Sequence, residues 1–330
     1  MIMDIRAITD YLGKDWISVK DRIVTALGSD IDLLNATNAS ILNRSGKQMR
    51  PMLALLMAKA CSESGPTDST VTYAAASDLL HNATLLHDDV ADESDTRRGA
   101  PTIRSLMGPS VSVLVGDYWL VKAMELILDA EDDNVSAVMR IFAKTLSDLA
   151  EGEMLQLQKA QSGKPCESDY LRIIYNKTAS LFEATCVSAA MSVGASDQMI
   201  EAARSYAAAL GLAFQIQDDI LDYMGTDVVG KPLGADILEH KVTLPLFGAL
   251  SSVSAEKADA VMAKVADIDS HPEYRDEIVR FVKENAGVEY AVARLNEYVS
   301  EAVDALEALP PSLSRDYLVE LAYYTANRAM

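Results

Sequence analysis

Two short acidic segments contain the side chains best suited to chemistry in this chain of 330 residues. The first, LLHDDVADESDTRRG, places Asp88 and Asp92 four residues apart, with Asp89 beside them. Side chains at this spacing lie on one helical face, and carboxylates there repel each other unless a cation is bound between them. The neighbouring apolar residues indicate a partly buried face. Divalent cations such as Mg²⁺, which prefer oxygen ligands, are therefore expected here.

A second copy of the pattern strengthens this interpretation. QIQDDILDYMGTD carries Asp218, Asp219 and Asp222 behind an apolar amphipathic run. One DDxxD segment occurs by chance in acidic helical proteins, whereas two can face a common cavity in which cations bridge them. We therefore expect the two triplets to form one metal site.

Basic residues follow each acidic segment. Arg97 and Arg98 follow the first, and Lys231 and Lys241 follow the second. Carboxylates, a divalent cation and basic side chains together are typical of a diphosphate site, because Arg and Lys neutralise the phosphate charge that the metal leaves. Surface ion pairs between neighbours on a helix would explain either half of this pattern but not its repetition.

The elements that position these residues are predicted to be helices. Half of the residues are hydrophobic (49%), and no proline interrupts 110–164 or 166–231. Apolar residues there recur three apart, as from Leu146 to Leu149 and from Met154 to Leu157, which is helical spacing. Without a long linker or a repeat, the sequence predicts an all-α protein in which residues 1–330 form a single helical bundle around a central cavity.

Composition also narrows the partners and the compartment. The formal charge of −20 argues against nucleic acid as a partner. Three cysteines without a CxxC pair and an amino terminus without a secretory signal predict a cytoplasmic protein with free thiols. No apolar run has the length of a membrane span. Peripheral membrane contact, for product release, stays open.

Five further motifs make the resemblance to a known family specific. In chain order they are SGKQMRP at 45–51, GDY at 116–118, EGEMLQ at 151–156, YNKTASLF at 175–182 and GKPLGAD at 230–236. With the two DDxxD motifs, they make nearly the whole chain resemble the trans-prenyl diphosphate synthases. The resemblance implies the isoprenoid synthase fold, a homodimer, and the condensation of isopentenyl diphosphate with an allylic diphosphate.

The resemblance also assigns residues to roles. Asp88 and Asp92 would bind two Mg²⁺ ions and Asp218 a third, with Asp89, Asp219 and Asp222 in support. The diphosphate of isopentenyl diphosphate would be bound by Lys47, Arg50, His81 and Arg98. The allylic diphosphate would be bound by Arg97, Lys177, Lys231 and Lys241. Thr178, Gln215 and the carbonyl end of the helix carrying Lys177 would stabilise an allylic carbocation.

One of the four histidines is predicted to belong to the site. A lone His on an apolar helix face is usually a core residue, but His81 lies two turns before Asp88 and so projects from the same side of the helix. His81 is therefore predicted to face the cavity. His87, His240 and His271 are interpreted as structural.

Two positions depart from the family pattern GGKRxRP. Ser45 and Gln48 stand where the family usually has Gly and Arg, while Lys47 and Arg50 are retained. Loss of the positive charge at position 48 is expected to weaken isopentenyl diphosphate binding without changing its mode.

Product length is predicted from small residues before the first aspartates. Ala83 and Thr84 lie five and four residues before Asp88, where family members with short products carry aromatic residues. A medium- to long-chain polyprenyl product is therefore expected, with geranylgeranyl diphosphate as the alternative. Ala83 has a second interpretation, in which its small side chain only permits close helix packing.

Three other functions compete with this one. A class I terpene cyclase also pairs DDxxD with a second metal motif, but that motif contains Asn, Ser or Thr and Glu. A non-catalytic subunit of a heteromeric synthase would lose aspartates, and all six are intact here. A di-iron bundle is disfavoured because no Glu-x-x-His pair occurs.

Overall fold

The computed structural model describes residues 5–44, 46–97, 99–162, 165–224 and 233–327, with the side chains of 161 and 162 excepted. The helices are α1 (Ile5–Ala26), α2 (Asp32–Leu42), α3 (Met49–Cys61), α4 (Asp68–Ala91), α5 (Ile103–Met107), α6 (Pro109–Leu128), α7 (Val135–Ser162), α8 (Glu167–Ile174), α9 (Ser180–Ser192), α10 (Asp197–Met224), α11 (Ala235–Leu238), α12 (Leu244–Ser251), α13 (Ala255–Ala266), α14 (Tyr274–Glu284), α15 (Gly287–Ala305) and α16 (Leu313–Asn327). A π-helical turn (Tyr175–Ala179) joins α8 to α9, and a 3₁₀ turn (Leu306–Ala308) precedes α16. The predicted all-α class is confirmed.

Strand structure in the described residues is limited to one small hairpin. The two-residue strands β1 (Thr96–Arg97) and β2 (Ala100–Pro101) pair antiparallel, with Arg97 opposite Ala100. Gly99 in the connecting turn has a φ of 75°, a conformation that glycine adopts without a steric penalty. The hairpin places Arg97 directly after the first acidic triplet.

The proline-free stretch 110–164 is occupied by two helices, α6 and α7. The chain leaves the helical conformation between α6 and α7, where the side chain of Asp132 accepts a hydrogen bond from the backbone N–H of Asn134 at 2.7 Å. Asp and Asn side chains compete in this way with the helical backbone bonds. A turn without proline or glycine was not apparent from sequence punctuation alone.

Residue contacts divide the chain into two compact units. The first unit comprises the described parts of 1–144, 181–204 and 306–320, and the second those of 145–180, 205–305 and 321–330.

Helix α4 forms the centre of the first unit. It packs against α1, α3, α5 and α6, and every residue from Ser69 to Leu80 is buried. The helix begins at a capping box in which Thr67 and Thr70 satisfy each other's backbone N–H groups. A helix buried on all sides is held at a defined depth, and this fixes the position of its C-terminal turn.

The second unit has its own hydrophobic core. Helix α12 packs against α13, α14 and α15, and Tyr223, Leu246, Ile278 and Val282 lie in the shared cluster. The close approach of α12 and α15 requires Gly287, since a Cβ there would lie 2.2 Å from the Pro245 carbonyl oxygen. This core supports the C-terminal end of α10. Among the helices described, none combines the length and apolarity needed to cross a bilayer.

Candidate active site

The first acidic triplet lies at the C-terminal end of α4. Asp88 and Asp89 occupy its last turn, and Asp92 follows as the capping residue, with its N–H donating to the Asp88 carbonyl at 2.8 Å. Asp88 is half-buried, Asp92 is exposed, and Asp89 is only 4% exposed. The buried Asp89 carboxylate accepts a hydrogen bond from Arg97 Nε at 2.8 Å. The triplet thus has an accessible edge and a buried, charge-paired member.

The second triplet has the same position and pattern on α10. Asp218 is exposed, Asp222 is half-buried and Asp219 is 3% exposed, all within the last two turns of the helix. Burial is the main cause that raises the pKa of Asp219 well above its usual value, and the nearby Asp236 carboxylate adds to the effect. In both triplets, therefore, the first aspartate is accessible and the second is buried.

Position at a helix C-terminus makes this concentration of carboxylates unfavourable by itself. The helix dipole places negative potential at that end, where anions are destabilised and cations are stabilised. Both triplets also place like charges within one turn. Each helix end therefore favours a bound cation, and the donor atoms are hard carboxylate oxygens of the type that Mg²⁺ prefers.

No group of three or more His, Cys, Asp or Glu side chains within the described part of the chain has an arrangement that could hold a metal alone. Mg²⁺ usually takes one or two carboxylates and completes its shell with water and substrate phosphate oxygens. The accessible aspartates Asp88, Asp92 and Asp218 fit that mode of binding.

Asp222 organises the loop that carries Lys241. Its carboxylate accepts hydrogen bonds from the backbone N–H groups of Ala235 at 3.0 Å and Asp236 at 3.3 Å, so it caps the start of α11. The Lys241 N–H then donates to the Asp236 carbonyl at 2.9 Å, and Lys241 Nζ contacts Glu239. Asp222 therefore anchors this loop. Lys231 lies outside the described residues.

Lys177 lies in the π-helical turn between α8 and α9. The helical path continues through this turn into α9. Its Nζ is held by two residues of α7, Glu153 Oε1 at 2.6 Å and Gln156 Oε1 at 3.1 Å. Single π turns occur frequently at functional sites, because the register shift frees backbone carbonyl groups.

Thr178 and Gln215 meet across the interface of this turn with α10. The Thr178 hydroxyl donates to Gln215 Oε1 at 3.0 Å. The contact depends on Gly211, since a Cβ there would lie 2.4 Å from the Ala179 Cα atom. The two residues predicted to stabilise a carbocation are thus adjacent in the structure.

Gly211→Ala is expected to destabilise the protein by about 1–3 kcal/mol, because a methyl group at this backbone contact forces the π turn away from α10. Chemical denaturation followed by circular dichroism measures the change. Gly28→Ala is the matched control, since a Cβ at Gly28 meets its nearest atom at an ordinary 3.4 Å. Equal stabilities of the two variants would contradict the prediction.

The residues assigned to isopentenyl diphosphate belong to the first unit. Lys47 is exposed just before α3, Arg50 lies in its first turn, and His81 lies on α4 two turns before Asp88. The Arg50 guanidinium stacks over the Phe182 ring, with Cζ 4.6 Å from the ring centroid. Arg98 and Ser45 lie outside the described residues.

Gln48 shows what the departure from the family motif does. Its backbone is left-handed, with a φ of 49°, and its side-chain Nε2 donates to Asp78 Oδ2 at 3.0 Å. Asp78 lies on α4 and is 4% exposed. The residue that replaces the usual arginine therefore serves as a neutral donor to a buried carboxylate.

Small residues line the part of α4 that precedes Asp88. Ala83 and Ser77 are fully buried, while Thr84 is half-buried and its hydroxyl donates to the His81 carbonyl at 2.8 Å. The two residues predicted to control chain length, Ala83 and Thr84, therefore both have small side chains.

Close packing explains the GDY motif. A Cβ at Gly116 would lie 2.4 Å from His87 Nε2, so the imidazole fills the space that glycine leaves on α6. This agrees with the structural interpretation of His87. His271 lies 2.8 Å from Glu273 at the surface, whereas His240 lies 3.1 Å from Asp269 and also lines a cavity.

That cavity, of about 160 Å³, lies within the second unit. It brings together Lys177, Gln215, Asp219 and Lys241, four of the residues predicted from sequence. Its remaining walls combine apolar residues, among them Ile173, Val242, Met262 and Val265, with charged ones such as Lys159, Asp169 and Asp236.

Four further residues belong to this site that sequence reasoning did not assign. Glu153, Gln156 and Asp236 lie within the motifs EGEMLQ and GKPLGAD, which was the available signal. Tyr170, whose hydroxyl donates to Asp219 Oδ2 at 2.7 Å, lies outside every motif.

Comparison with known proteins places this architecture among characterised ones. The family model described as polyprenyl synthetase matches residues 31–282. The octaprenyl diphosphate synthase of Haemophilus influenzae is 36% identical over 328 residues, covering 99% of this chain and 98% of the relative.

Solved structures give the same result. A decaprenyl diphosphate synthase from Rhodobacter capsulatus superposes with a TM-score of 0.91 at 34% identity, covering 99% of this chain and 100% of that one. A polyprenyl synthase from Caulobacter crescentus, complexed with calcium and isoprenyl diphosphate, gives a TM-score of 0.90 at 30% identity, covering 99% and 98%.

Proposed function

Because the chain belongs to the polyprenyl synthetase family, we propose that it condenses isopentenyl diphosphate with an allylic diphosphate, head to tail and with trans double bonds. The prediction of a trans-prenyltransferase from sequence is confirmed by these relatives. The observation that supports a working site is the repeated design of α4 and α10, each ending in an accessible aspartate followed by a buried, hydrogen-bonded one.

Mg²⁺ is the cofactor that this design favours. Members of the family use Mg²⁺ to bind diphosphate. We assign two ions to Asp88 and Asp92 and a third to Asp218. When bound, Mg²⁺ supplies a Lewis acid that stabilises the negative charge developing on a departing diphosphate.

Basic side chains bind the diphosphate groups of the two substrates. Arg97, Lys177, Lys231 and Lys241 bind the allylic diphosphate, and Lys47, Arg50, His81 and Arg98 bind that of isopentenyl diphosphate. Glu153 and Gln156 hold the Nζ atom of Lys177 in place, so this side chain is pre-organised before substrate binds.

The reaction starts with heterolysis of the allylic C–O bond, in which the electron pair leaves with the diphosphate. The double bond of isopentenyl diphosphate then attacks the allylic carbocation and forms the new C–C bond. Loss of a proton to the departed diphosphate restores a double bond. Oxygen atoms of Thr178 and Gln215 lie side by side, where they stabilise the carbocation, and apolar wall residues such as Ile173 and Val265 limit the access of water.

A medium- to long-chain polyprenyl diphosphate is the product we assign. The relatives named above are octaprenyl, decaprenyl and polyprenyl synthases. The small side chains of Ala83 and Thr84 agree with this assignment. Geranylgeranyl diphosphate remains the alternative, and it has less support among the relatives.

A homodimer is a further part of the proposal. Leu114, Val121 and Leu128 on α6 are 67%, 51% and 59% exposed and recur every seven residues, so they form one apolar stripe that suits burial against a second helix. Size-exclusion chromatography with light scattering measures the oligomeric state.

Three organisational predictions from sequence also stay proposals. We treat residues 1–330 as one functional domain, because most boundaries between the two compact units fall inside helices such as α7, α10 and α16 and not in linkers. The free cysteines agree with a cytoplasmic location. Peripheral membrane contact would serve release of a long apolar product.

Incubation of the purified chain with labelled isopentenyl diphosphate, each allylic primer and Mg²⁺ tests the function. Linear products longer than geranylgeranyl diphosphate are expected, and chelation of the metal is expected to abolish them. Cyclic hydrocarbons would indicate a terpene cyclase instead. Incorporation only after addition of a second protein would indicate a subunit of a heteromeric synthase.

A further inference from the structure

The buried aspartate of the second triplet is held from two sides. Tyr170, on α8, donates its hydroxyl to Asp219 Oδ2 at 2.7 Å, and Gln215, one turn earlier on α10, donates Nε2 to Oδ1 at 3.0 Å. Tyr170 is 5% exposed and Asp219 is 3% exposed. Both carboxylate oxygens therefore have a donor, and the side chain has little freedom to rotate.

The chain of hydrogen bonds continues from Gln215 to Thr178. Because the Gln215 amide nitrogen faces the carboxylate, its Oε1 faces Thr178 and accepts the hydroxyl proton at 3.0 Å. With its proton used, the Thr178 hydroxyl can only accept from any further group. The Asp219 carboxylate thus determines which atoms of Gln215 and Thr178 donate hydrogen bonds and which accept them.

Tyr170 is suited to holding that carboxylate. Its ring is buried, and its hydroxyl lies within hydrogen-bond distance of Asp219 Oδ2 at 2.7 Å. The bond also ties the last two turns of α10 to α8. Helix ends fray unless they are held, and exposed Asp218 is the immediate neighbour of Asp219 in this segment.

We propose that Tyr170 is a positioning residue for prenyl transfer, whose hydroxyl holds Asp219 so that Gln215 and Thr178 are correctly oriented and Asp218 faces the cation. This inference rests on the proposed function. It assigns a role to a residue that lies outside all motifs of the sequence and acts only through its bond to Asp219.

Tyr170→Phe removes the hydroxyl and leaves the ring. We expect kcat to fall about 10- to 100-fold, as is typical when a partner of a metal-site residue is lost, and the half-saturating Mg²⁺ concentration to rise. The KM for isopentenyl diphosphate should not change, since its assigned residues lie in the other unit. Steady-state kinetics with Mg²⁺ titration measure all three quantities.

Tyr290→Phe is the matched control, because Tyr290 makes an equivalent bond to Glu167 at 2.8 Å in the same unit. It should have wild-type kcat and Mg²⁺ dependence. A Tyr170→Phe chain that is only less stable, with wild-type kcat and Mg²⁺ dependence, overturns the inference. An inactive wild-type chain overturns the proposed function instead.

Asp219→Asn provides an independent variant. Its amide cannot accept hydrogen bonds from Tyr170 and Gln215 together, so it should show the same two changes. Addition of Tyr170→Phe to this variant should then lower kcat no further. If Tyr170→Phe does not fold, as judged by circular dichroism, wild-type kinetics of Asp219→Asn overturn the inference.

Discussion

Replacement of Asp88 or Asp218 by alanine is expected to lower kcat by at least about 10³-fold, a greater loss than we expect from any other single substitution in this chain. Each substitution removes an accessible carboxylate assigned to Mg²⁺. The charge that develops on the leaving diphosphate then lacks its main stabilisation. Mg²⁺-dependent incorporation of labelled isopentenyl diphosphate measures the loss.

Unfolding would not explain this loss. Asp88 and Asp218 lie near the C-terminal ends of α4 and α10, where the helix dipole and neighbouring aspartates disfavour a negative charge. Removing one carboxylate relieves this repulsion, so the Tm of each variant is expected to equal or exceed that of the wild type. Asp133→Ala, at an exposed position between α6 and α7, is the control and should keep full activity.

The double variant tests whether the two triplets serve one reaction. If Asp88 and Asp218 act on the same diphosphate, the Asp88→Ala, Asp218→Ala chain should be no less active than the worse single variant, because residues that act as a unit are not additive. Multiplication of the two losses would mean that the triplets act separately.

Ala83→Phe is expected to shorten the product to one of a few isoprene units. Ala83 is fully buried on α4 before the first aspartates. We expect the growing polyprenyl tail to extend along this part of α4, where a phenyl ring would block it. Chromatography of the dephosphorylated products measures the chain-length distribution. The variant should still incorporate isopentenyl diphosphate, because the diphosphate sites are not altered. The main change should be in the length of its products.

Controls separate a blocked path from general overpacking. Ala74 is equally buried on the same helix, and nine residues of separation place it about half a turn away from Ala83, on the opposite face. Ala74→Phe should lower stability without shortening the product. Thr84→Phe, at a half-buried position, should shorten it with less strain. A folded Ala83→Phe chain that makes products of wild-type length would show that Ala83 only permits close packing.

Much of this protein could be predicted from its sequence, because helical periodicity and motif spacing are local properties. The all-α class, the family and the enzyme class are confirmed. The aspartates, Lys177, Thr178 and Gln215 were identified by residue type and motif. Their detailed geometry was less accessible: Asp92 caps α4 instead of lying within it, and Lys177 lies in a π turn that joins two helices.

Residue types and their spacing are enough to establish the chemistry available to the chain: two triplets of hard oxygen ligands, the basic side chains for diphosphate and the helices that carry them. The partners of those groups depend on how the helices pack. Tyr170 and Asp219 are 49 residues apart, and Asp222 and Ala235 are 13 apart, yet both pairs are hydrogen-bonded. Such pairings depend on which helix faces pack together and which carboxylates become buried, and burial then compels each carboxylate to find a donor.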